Sequence, residues 1–229
     1  MQQTAIDWVR NPDGTKGQSW NPIRGRCPVK CKLPNGDIYC YGHKYYDRFP
    51  WLDYGCDLHG ALIESELEKP IKRKKPARIF VCSTHELFFK KEDWARDEIF
   101  KTIDRAPQHT FIILTKFPKN IDRWMPENVW LGVSITRPGD LWKFDHLNRA
   151  HAKIKFASFE PLLNGPVRFP SFLDWAIVGR LKYHGNIYQP KREWIEMLVE
   201  AAARFRKPIF LKNNLSKIWA DDLIQEWPK

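Results

Sequence analysis

Three cysteines lie close together near the start of the chain, at Cys27, Cys31 and Cys40. Their spacing is C-x3-C-x8-C, and thiolates are soft ligands that suit zinc or an iron–sulfur cluster. Structural zinc sites are normally closed by four ligands, so three thiolates on one loop leave a coordination position open. An open iron would bind a small chelating molecule, whereas a closed zinc site would need a fourth ligand, for which Cys56 is the nearest candidate along the chain. The spacing alone leaves both alternatives open.

Polar residues follow most of the short apolar runs of the chain, where a predicted strand would end. The candidates are Ser83, Thr84, Glu86, Lys116, Ser134, Glu160 and Lys212. Ligand sites of parallel α/β folds lie at the carboxyl ends of the strands, so several such groups at one rim predict a binding site. The structural alternatives are helix capping by Ser83 and Thr84, a buried hydroxyl at Ser134 bonded to backbone, and solvated loop charges at the remaining positions.

The apolar runs predict the scaffold that positions these groups. They cover residues 77–82, 110–115, 129–135, 154–158, 175–178 and 208–211, with a candidate first strand at 19–24. Near-continuous apolar runs are typical of parallel strands buried on both faces, and a repeat of roughly 20 to 30 residues is the length of a βα unit. Helices are predicted at 92–105, 140–150, from Pro190 onward, and at 217–227. The prediction is an α/β fold, specifically an incomplete (β/α) barrel with six or seven parallel strands; an open doubly wound sheet is the alternative.

Composition narrows the function classes. The 229 residues are 43% hydrophobic, which excludes a disordered chain. There is no run of 18 apolar residues and no apolar signal core in MQQTAIDWVR, so we expect no membrane span and a cytoplasmic location. Lys and Arg outnumber Asp and Glu by 38 to 27, a formal net charge of +11, and residues 72–75 read KRKK. This excess predicts an anionic partner, with DNA or RNA as candidates, on a basic surface around the strand ends.

The cysteine loop resembles that of the radical S-adenosylmethionine superfamily. The usual motif there is C-x3-C-x2-C with an aromatic residue just before the last cysteine. The first half is intact in this chain, and Tyr39 precedes Cys40. An insertion of six residues, 32–37 (KLPNGD), separates the two halves. Because Pro-Asn-Gly is a turn signal, we expect a small excursion that returns Cys40 to the other cysteines.

The resemblance spans nearly the whole chain. The stretches WNPIRGRCP, IFVCSTHELF, HTFIILTKFP, VWLGVSI, FASFEPLL and DWAIVG are similar to those of short radical-SAM-like proteins from phages, bacteria and archaea. That family is in turn distantly similar to spore photoproduct lyase. This chain departs from its relatives after the run at 175–178, where they read Gly-Gly-Glu and here Arg180 follows Gly179.

The resemblance implies one radical-SAM-type barrel domain over residues 1–229, with the cysteine loop at 24–43. It implies a [4Fe–4S] cluster on Cys27, Cys31 and Cys40, reduced by an electron donor, and S-adenosylmethionine bound beside it. The implied groups around S-adenosylmethionine are Tyr39, Ser83, Thr84, Glu86 and Ser134. Lys116, Glu160 and Lys212 end other predicted strands, and at a barrel mouth they could hold an anionic substrate or the carboxylate of S-adenosylmethionine. The expected activity is cleavage of S-adenosylmethionine and hydrogen abstraction from a substrate, for which a nucleic acid or nucleotide is the candidate.

Two other functions remain open at this point. A zinc-stabilised barrel could bind nucleic acid without radical chemistry. A degenerate relative could have lost the cluster through the insertion before Cys40. Metal content distinguishes all three, because iron with sulfide, stoichiometric zinc, and no metal are the respective expectations.

Overall fold

The computed structural model describes residues 1–53, 60–90, 93–182 and 188–229, and it is a mixed α/β structure. The chain divides into two compact units. The first comprises Met1–Ala5, Val9–Thr115 and Asn120–Asp122, and the second comprises Ile6–Trp8, Lys116–Lys119 and Arg123–Lys229. Each unit is built on four strands of mostly parallel sheet.

Six strands and three α-helices of the described residues belong to the first unit. Its strands are β1 (Gln2–Gln3), β2 (Gln18–Trp20), β3 (Ile23–Arg24), β4 (Ala61–Leu62), β5 (Arg78–Val81) and β6 (Thr110–Thr115), and its helices are α1 (Tyr41–Arg48), α2 (Glu64–Lys72) and α3 (Trp94–Asp104). The sheet order is β1-β2-β5-β6, in which β2, β5 and β6 run parallel and β1 is antiparallel. Strands β3 and β4 form a separate antiparallel pair. The ends of β2, β5 and β6 therefore point in one direction.

The second unit repeats the parallel arrangement. Its strands are β7 (Val129–Ser134), β8 (Ile154–Phe159), β9 (Trp175–Val178) and β10 (Ile209–Leu211), and its helices are α4 (Lys143–Arg149) and α5 (Arg192–Arg204). The order is β7-β8-β9-β10, with every neighbouring pair parallel. Short 3-10 turns at Pro118–Asn120, Pro138–Asp140 and Asn213–Leu215 follow three strands.

Aromatic packing holds each unit together. In the first unit, Trp20 of β2 packs on Phe111 of β6, with ring centroids 5.8 Å apart. In the second unit, the buried Trp175 of β9 packs against Trp130 of β7 and Phe156 of β8, with ring centroids 5.8 and 5.4 Å apart. Burying rings of this size is a large apolar contribution to stability. It explains why the strands read as uninterrupted apolar runs.

The structure confirms the parallel α/β prediction and corrects some details. The runs at 110–115 and 175–178 coincide with β6 and β9, whereas 19–24 divides into β2 and β3. The helix predicted at 217–227 is wrong: Leu211 of β10 donates to the Ile224 carbonyl oxygen (2.7 Å), so this segment returns in extended form beside β10. Trp94, the first residue of α3, is 69% exposed. Neither set of four strands closes on itself among the described residues, so the barrel stays a prediction.

One further expectation concerns membranes. None of the helices in the described residues combines the length and the apolar character that crossing a bilayer requires.

Candidate functional site at the cysteine loop and strand ends

The insertion between the second and third cysteines folds into a hairpin. Lys32 and Ile38 form an antiparallel bridge, and the Tyr39 amide donates to the Cys31 carbonyl oxygen at 3.0 Å. The turn closes at Gly36, whose φ of +91° lies in the left-handed region that favours glycine. The six extra residues therefore leave the chain and return beside Cys31. The predicted excursion is confirmed, and Cys40 follows directly from the closed hairpin.

Helix α1 begins immediately after Cys40 and ties the loop together. The Cys40 carbonyl oxygen accepts from the Lys44 amide (3.2 Å), and buried His43 donates from Nε2 to the Cys27 carbonyl oxygen (2.9 Å). One turn on, the buried Tyr46 hydroxyl accepts from the Gly25 amide at 3.0 Å. The inner face of one helix thus holds the backbone on both sides of the first cysteine. Sequence reasoning had not given His43 this role.

The cysteine loop lies against the segment that follows β5. A Cβ placed on Gly42 would come within 2.8 Å of the Thr84 carbonyl oxygen, so α1 can approach this closely only because residue 42 is glycine. His85 Nδ1 lies 3.4 Å from the Gly25 carbonyl oxygen, and Ser83 Oγ donates to Asn21 Oδ1 at 3.1 Å. The structure therefore places the Thr84 backbone against the cysteine loop and joins Ser83 to Asn21, while binding of S-adenosylmethionine by Ser83 and Thr84 stays a prediction.

Glu86 is buried and already engaged within the fold. Its Oε1 accepts from Thr115 Oγ1 at 2.6 Å and from the Phe88 amide at 3.1 Å. Thr115 is the last residue of β6, so the carboxylate joins the turn after β5 to the end of the neighbouring strand. The contacts of Glu86 are those of a group that fixes two strand ends. A contact with S-adenosylmethionine remains a prediction.

Four cysteines of the described residues are thiols: Cys27 and Cys82 are buried, and Cys31 and Cys40 are half-buried. Burial raises the pKa of the Cys82 thiol far above its ordinary range, and the nearby negative charges of Glu86, Asp93 and Cys27 raise it further. A fully buried thiol with this environment is unreactive. Cys82 stands directly after β5 with a φ of +52°. It acts as an apolar neighbour of the cysteine loop.

The metal site itself is not preformed in the parts of the chain that the structure describes. No group of three or more His, Cys, Asp or Glu side chains there stands in a metal-binding arrangement. Convergence of Cys27, Cys31 and Cys40 on one cluster therefore stays a prediction. Cys56, the candidate fourth zinc ligand, lies outside the described residues.

In the second unit, hydroxyl groups meet at the ends of β7 and β8. Ser134 and Ser158 are register partners, so their side chains share one face of the sheet. Both are buried, and within the part of the chain that the structure describes Ser158 Oγ has no hydrogen-bond partner. Lys143 of α4 donates to the Ser134 carbonyl oxygen (2.9 Å) and to Asp140 Oδ1 (2.7 Å). Burial opposes the charge of Asp140, but Lys143 and Thr136 outweigh it and lower the pKa of that carboxyl.

Glu160 and Lys212 form an ion pair with each other at the ends of β8 and β10. Lys212 Nζ also lies 3.7 Å from Asp7 Oδ1. Burial works against the Lys212 charge, yet the carboxylates of Glu160 and Asp7 raise the pKa of the lysine. The two predicted substrate residues are therefore brought together, each neutralising the other. Lys116, the third, is half-buried just after β6.

Other basic groups lie away from the strand ends or are bound to the fold. Residues 72–75 precede β5 and line an open pocket of about 510 Å³ with Lys69, so they belong to the opposite end of that strand from Ser83. The KRKK run therefore does not belong to the predicted basic rim.

Arg180 stands where relatives have a second glycine. Its carbonyl oxygen accepts a hydrogen bond from Asn214 Nδ2 (2.9 Å), and its amide donates to Asn214 Oδ1 (3.2 Å).

Comparison with known proteins gives one family. The model of a family described as "Protein of unknown function (DUF5131)" matches residues 3–221 of this chain. No curated protein matches the chain, and no solved structure does.

Proposed function

The chain belongs to the DUF5131 family, and we propose that this member is an enzyme of the radical S-adenosylmethionine type. The observation that supports the proposal is the hairpin between Cys31 and Tyr39, because it returns the chain to Cys31 just before Cys40. With the hairpin closed, the chain path resembles a C-x3-C-x2-C loop. We also propose the finer fold, an incomplete (β/α) barrel, and a cytoplasmic location.

The donor set of the loop suits an iron–sulfur cluster. Thiolates are the usual ligands of such clusters, and the loop offers three of them with their backbone held by α1. Cys27 is fixed through His43, and Cys40 starts the helix. The half-buried Cys31 and Cys40 stand at the more accessible side of the loop. Three thiolates leave one iron open to a chelating ligand.

Once bound, the cluster would supply the electron that cleaves S-adenosylmethionine into a hydrogen-abstracting species. The residues of the chain would hold the cluster, orient S-adenosylmethionine and shield both from water. Cys27, Cys31 and Cys40 would ligate the cluster, while Tyr39, Ser83 and Thr84 would border S-adenosylmethionine. Cys82, buried near Cys27, would exclude water on that side of the loop. In this proposal Glu86 keeps the turn after β5 in place and also contacts S-adenosylmethionine directly.

Four further residues keep the roles that the sequence suggested. Ser134 is proposed for S-adenosylmethionine, and Lys116, Glu160 and Lys212 for an anionic substrate of nucleic-acid or nucleotide class. Because Lys212 is paired with Glu160, a substrate anion would have to compete with a carboxylate for it. An external electron donor is required. The alternative function is a zinc-stabilised protein that binds nucleic acid without radical chemistry.

Metal analysis of protein purified without oxygen tests the proposal. We expect iron and sulfide with visible absorbance, and we expect Cys27→Ala, Cys31→Ala and Cys40→Ala each to abolish it. Cys82→Ala is the matched control, since a buried thiol of raised pKa is not a ligand, and it should keep its iron. Stoichiometric zinc, lost on Cys56→Ala, would establish the alternative. Protein without any metal after reconstitution would show that the insertion has disabled the loop.

A further inference from the structure

Four aromatic side chains form a continuous row on α1 and the turn that follows it. The row consists of Tyr41, Tyr45, Phe49 and Trp51, and we call it the aromatic strip. Consecutive ring centroids are 6.3, 5.2 and 5.5 Å apart. The two ends are open to solvent, with Tyr41 67% exposed and Trp51 69% exposed. Tyr45 and Phe49, between them, are half-buried. Large rings are normally buried, so the exposure of Tyr41 and Trp51 at the two ends indicates a partner.

The strip is held firmly from beneath. Tyr45 packs edge-on against Tyr46 with centroids 5.4 Å apart, and Tyr46 is buried with its hydroxyl bonded to Gly25. Residues four apart on a helix lie about 6 Å apart along its axis, which explains the regular rise from Tyr41 to Phe49. The rings are therefore preorganised at one face of α1. They begin one residue after Cys40.

Basic side chains accompany the rings. Residues 26–53 contain five basic and three acidic side chains. Two of the three carboxylates, Asp47 and Asp53, are bound by Arg26 at 2.6 and 2.8 Å. The guanidinium of Arg48 lies 5.2 Å from the Phe49 ring centroid, within cation–π range, and exposed Lys44 is on the same helix. The surface around the strip is thus aromatic and cationic together.

We propose that the aromatic strip binds single-stranded nucleic acid by stacking unpaired bases on its rings. Aromatic platforms with basic side chains alongside are the means by which proteins bind single strands without reading sequence. A duplex hides the faces of its bases, so a single strand or a loop is the form that fits. The proposal rests on the proposed function and deepens it, because bases stacked on Tyr41 would lie beside the cysteine loop.

The same features disfavour a lipid surface. A membrane-binding helix presents a broad apolar face of aliphatic and aromatic residues that enters the acyl region. Helix α1 has eight residues and carries no Leu, Ile, Val or Met. Its exposed residues are Tyr41, Lys44, Asp47 and Arg48, so the helix offers one ring among charged side chains and no apolar face for a bilayer. Neutral and anionic vesicles therefore serve as a control in the test.

The test measures anisotropy of a labelled 15-nucleotide single strand, as DNA and as RNA, with the full chain at low and physiological salt. Tyr41→Ala and Trp51→Ala should each weaken binding about tenfold, the typical effect of losing one stacked base. Trp94→Ala is the matched control, because Trp94 is also 69% exposed but lies on α3, and it should bind as the parent does. Each phosphate contact should add about 0.7 to the log–log salt dependence.

Specific results would overturn the proposal. They are equal losses for Trp94→Ala and Trp51→Ala, tighter binding to the matched duplex, preference for vesicles over the single strand, or no binding at low salt. The same measurement on Cys31→Ala separates the two proposals. If the strip alone binds the strand, that variant should bind within about threefold of the parent even though it lacks a cluster. Loss of strand binding would leave the expected iron content of the parent unchanged.

Discussion

A glycine decides the arrangement of charged residues at the strand ends of the second unit. Gly179 follows β9 between the ends of β8 and β10, and Lys212 reaches Glu160 across it. A Cβ on residue 179 would lie 2.8 Å from Lys212 Cδ and 3.2 Å from Glu160 Cγ. The sequence showed three polar strand ends but not this pairing, because Glu160 and Lys212 are 52 residues apart. An ion pair that passes over a glycine leaves no pattern in the neighbouring sequence that could predict it.

Gly179→Ala should therefore disturb the ion pair. Lys212 is pinned at its end by Glu160 and Asp7, so the added methyl must displace the stem of a held side chain, and overpacking of this kind costs about 1–3 kcal/mol. Gly139→Ala is the control, since its nearest atom is Arg137 Cγ at 4.0 Å. Urea unfolding should show the loss for residue 179 alone. Equal midpoints for the two variants would mean that Lys212 moves aside freely.

At the scale of elements, a buried histidine joins α2, β5 and β6. His109 precedes β6, and its Nδ1 accepts from the Ala77 amide (3.1 Å). Its Nε2 must then carry the proton and donate to the Pro70 carbonyl oxygen (3.0 Å). The neutral ring satisfies both bonds, whereas the imidazolium could not accept from Ala77. Burial lowers the pKa of His109, and the charge of Arg73 lowers it further.

This histidine should make stability depend on pH. Below the ordinary histidine pKa of about 6.5, His109 binds a proton in the unfolded chain, whereas in the folded chain its lowered pKa keeps it neutral until a lower pH is reached. The contribution of His109 to the free energy of unfolding is therefore complete above about pH 6.5. It declines as the pH falls below that value, by at most about 1.4 kcal/mol per pH unit. Urea midpoints between pH 7.5 and 5.5 should fall less steeply for His109→Gln than for the parent. His151→Gln, at an exposed position, should keep the parent slope; a parent slope in both variants would contradict the assignment.

How far the elements could be predicted depends on where their contacts lie. Strands such as β6 and β9 are recognisable because burial on both faces leaves an unbroken apolar run. The hairpin was predictable from Pro-Asn-Gly, since the turn is a local property. The extended course of 217–227 was not, because bonds from Leu211 and to Ile209 decide it. Exposure of Trp51 and Trp94 also depends on neighbours that the sequence does not reveal.

At the scale of the whole molecule, the two units are interleaved along the chain. Ile6–Trp8 belongs to the second unit, although the residues on both sides of it belong to the first. The Asn213 amide donates to Asp7 Oδ2 (3.0 Å), and Trp227 Nε1 donates to the Trp8 carbonyl oxygen (2.8 Å). A segment near the start of the chain therefore completes the unit formed by its last hundred residues. Contacts across 219 residues leave no pattern in the sequence that predicts them.

We therefore expect Trp8 to control the stability of the second unit. Its side chain is buried against Trp175, with ring centroids 6.1 Å apart, and removing a buried ring of this size costs about 3–5 kcal/mol. Trp8→Ala should lower the urea midpoint accordingly. Trp124→Ala, also in the second unit but 76% exposed, is the control and should change stability by no more than about 0.5 kcal/mol. If the two variants unfold at the same urea concentration, the segment at Ile6–Trp8 contributes no more than a surface contact, and residues 123–229 should then hold their structure without it.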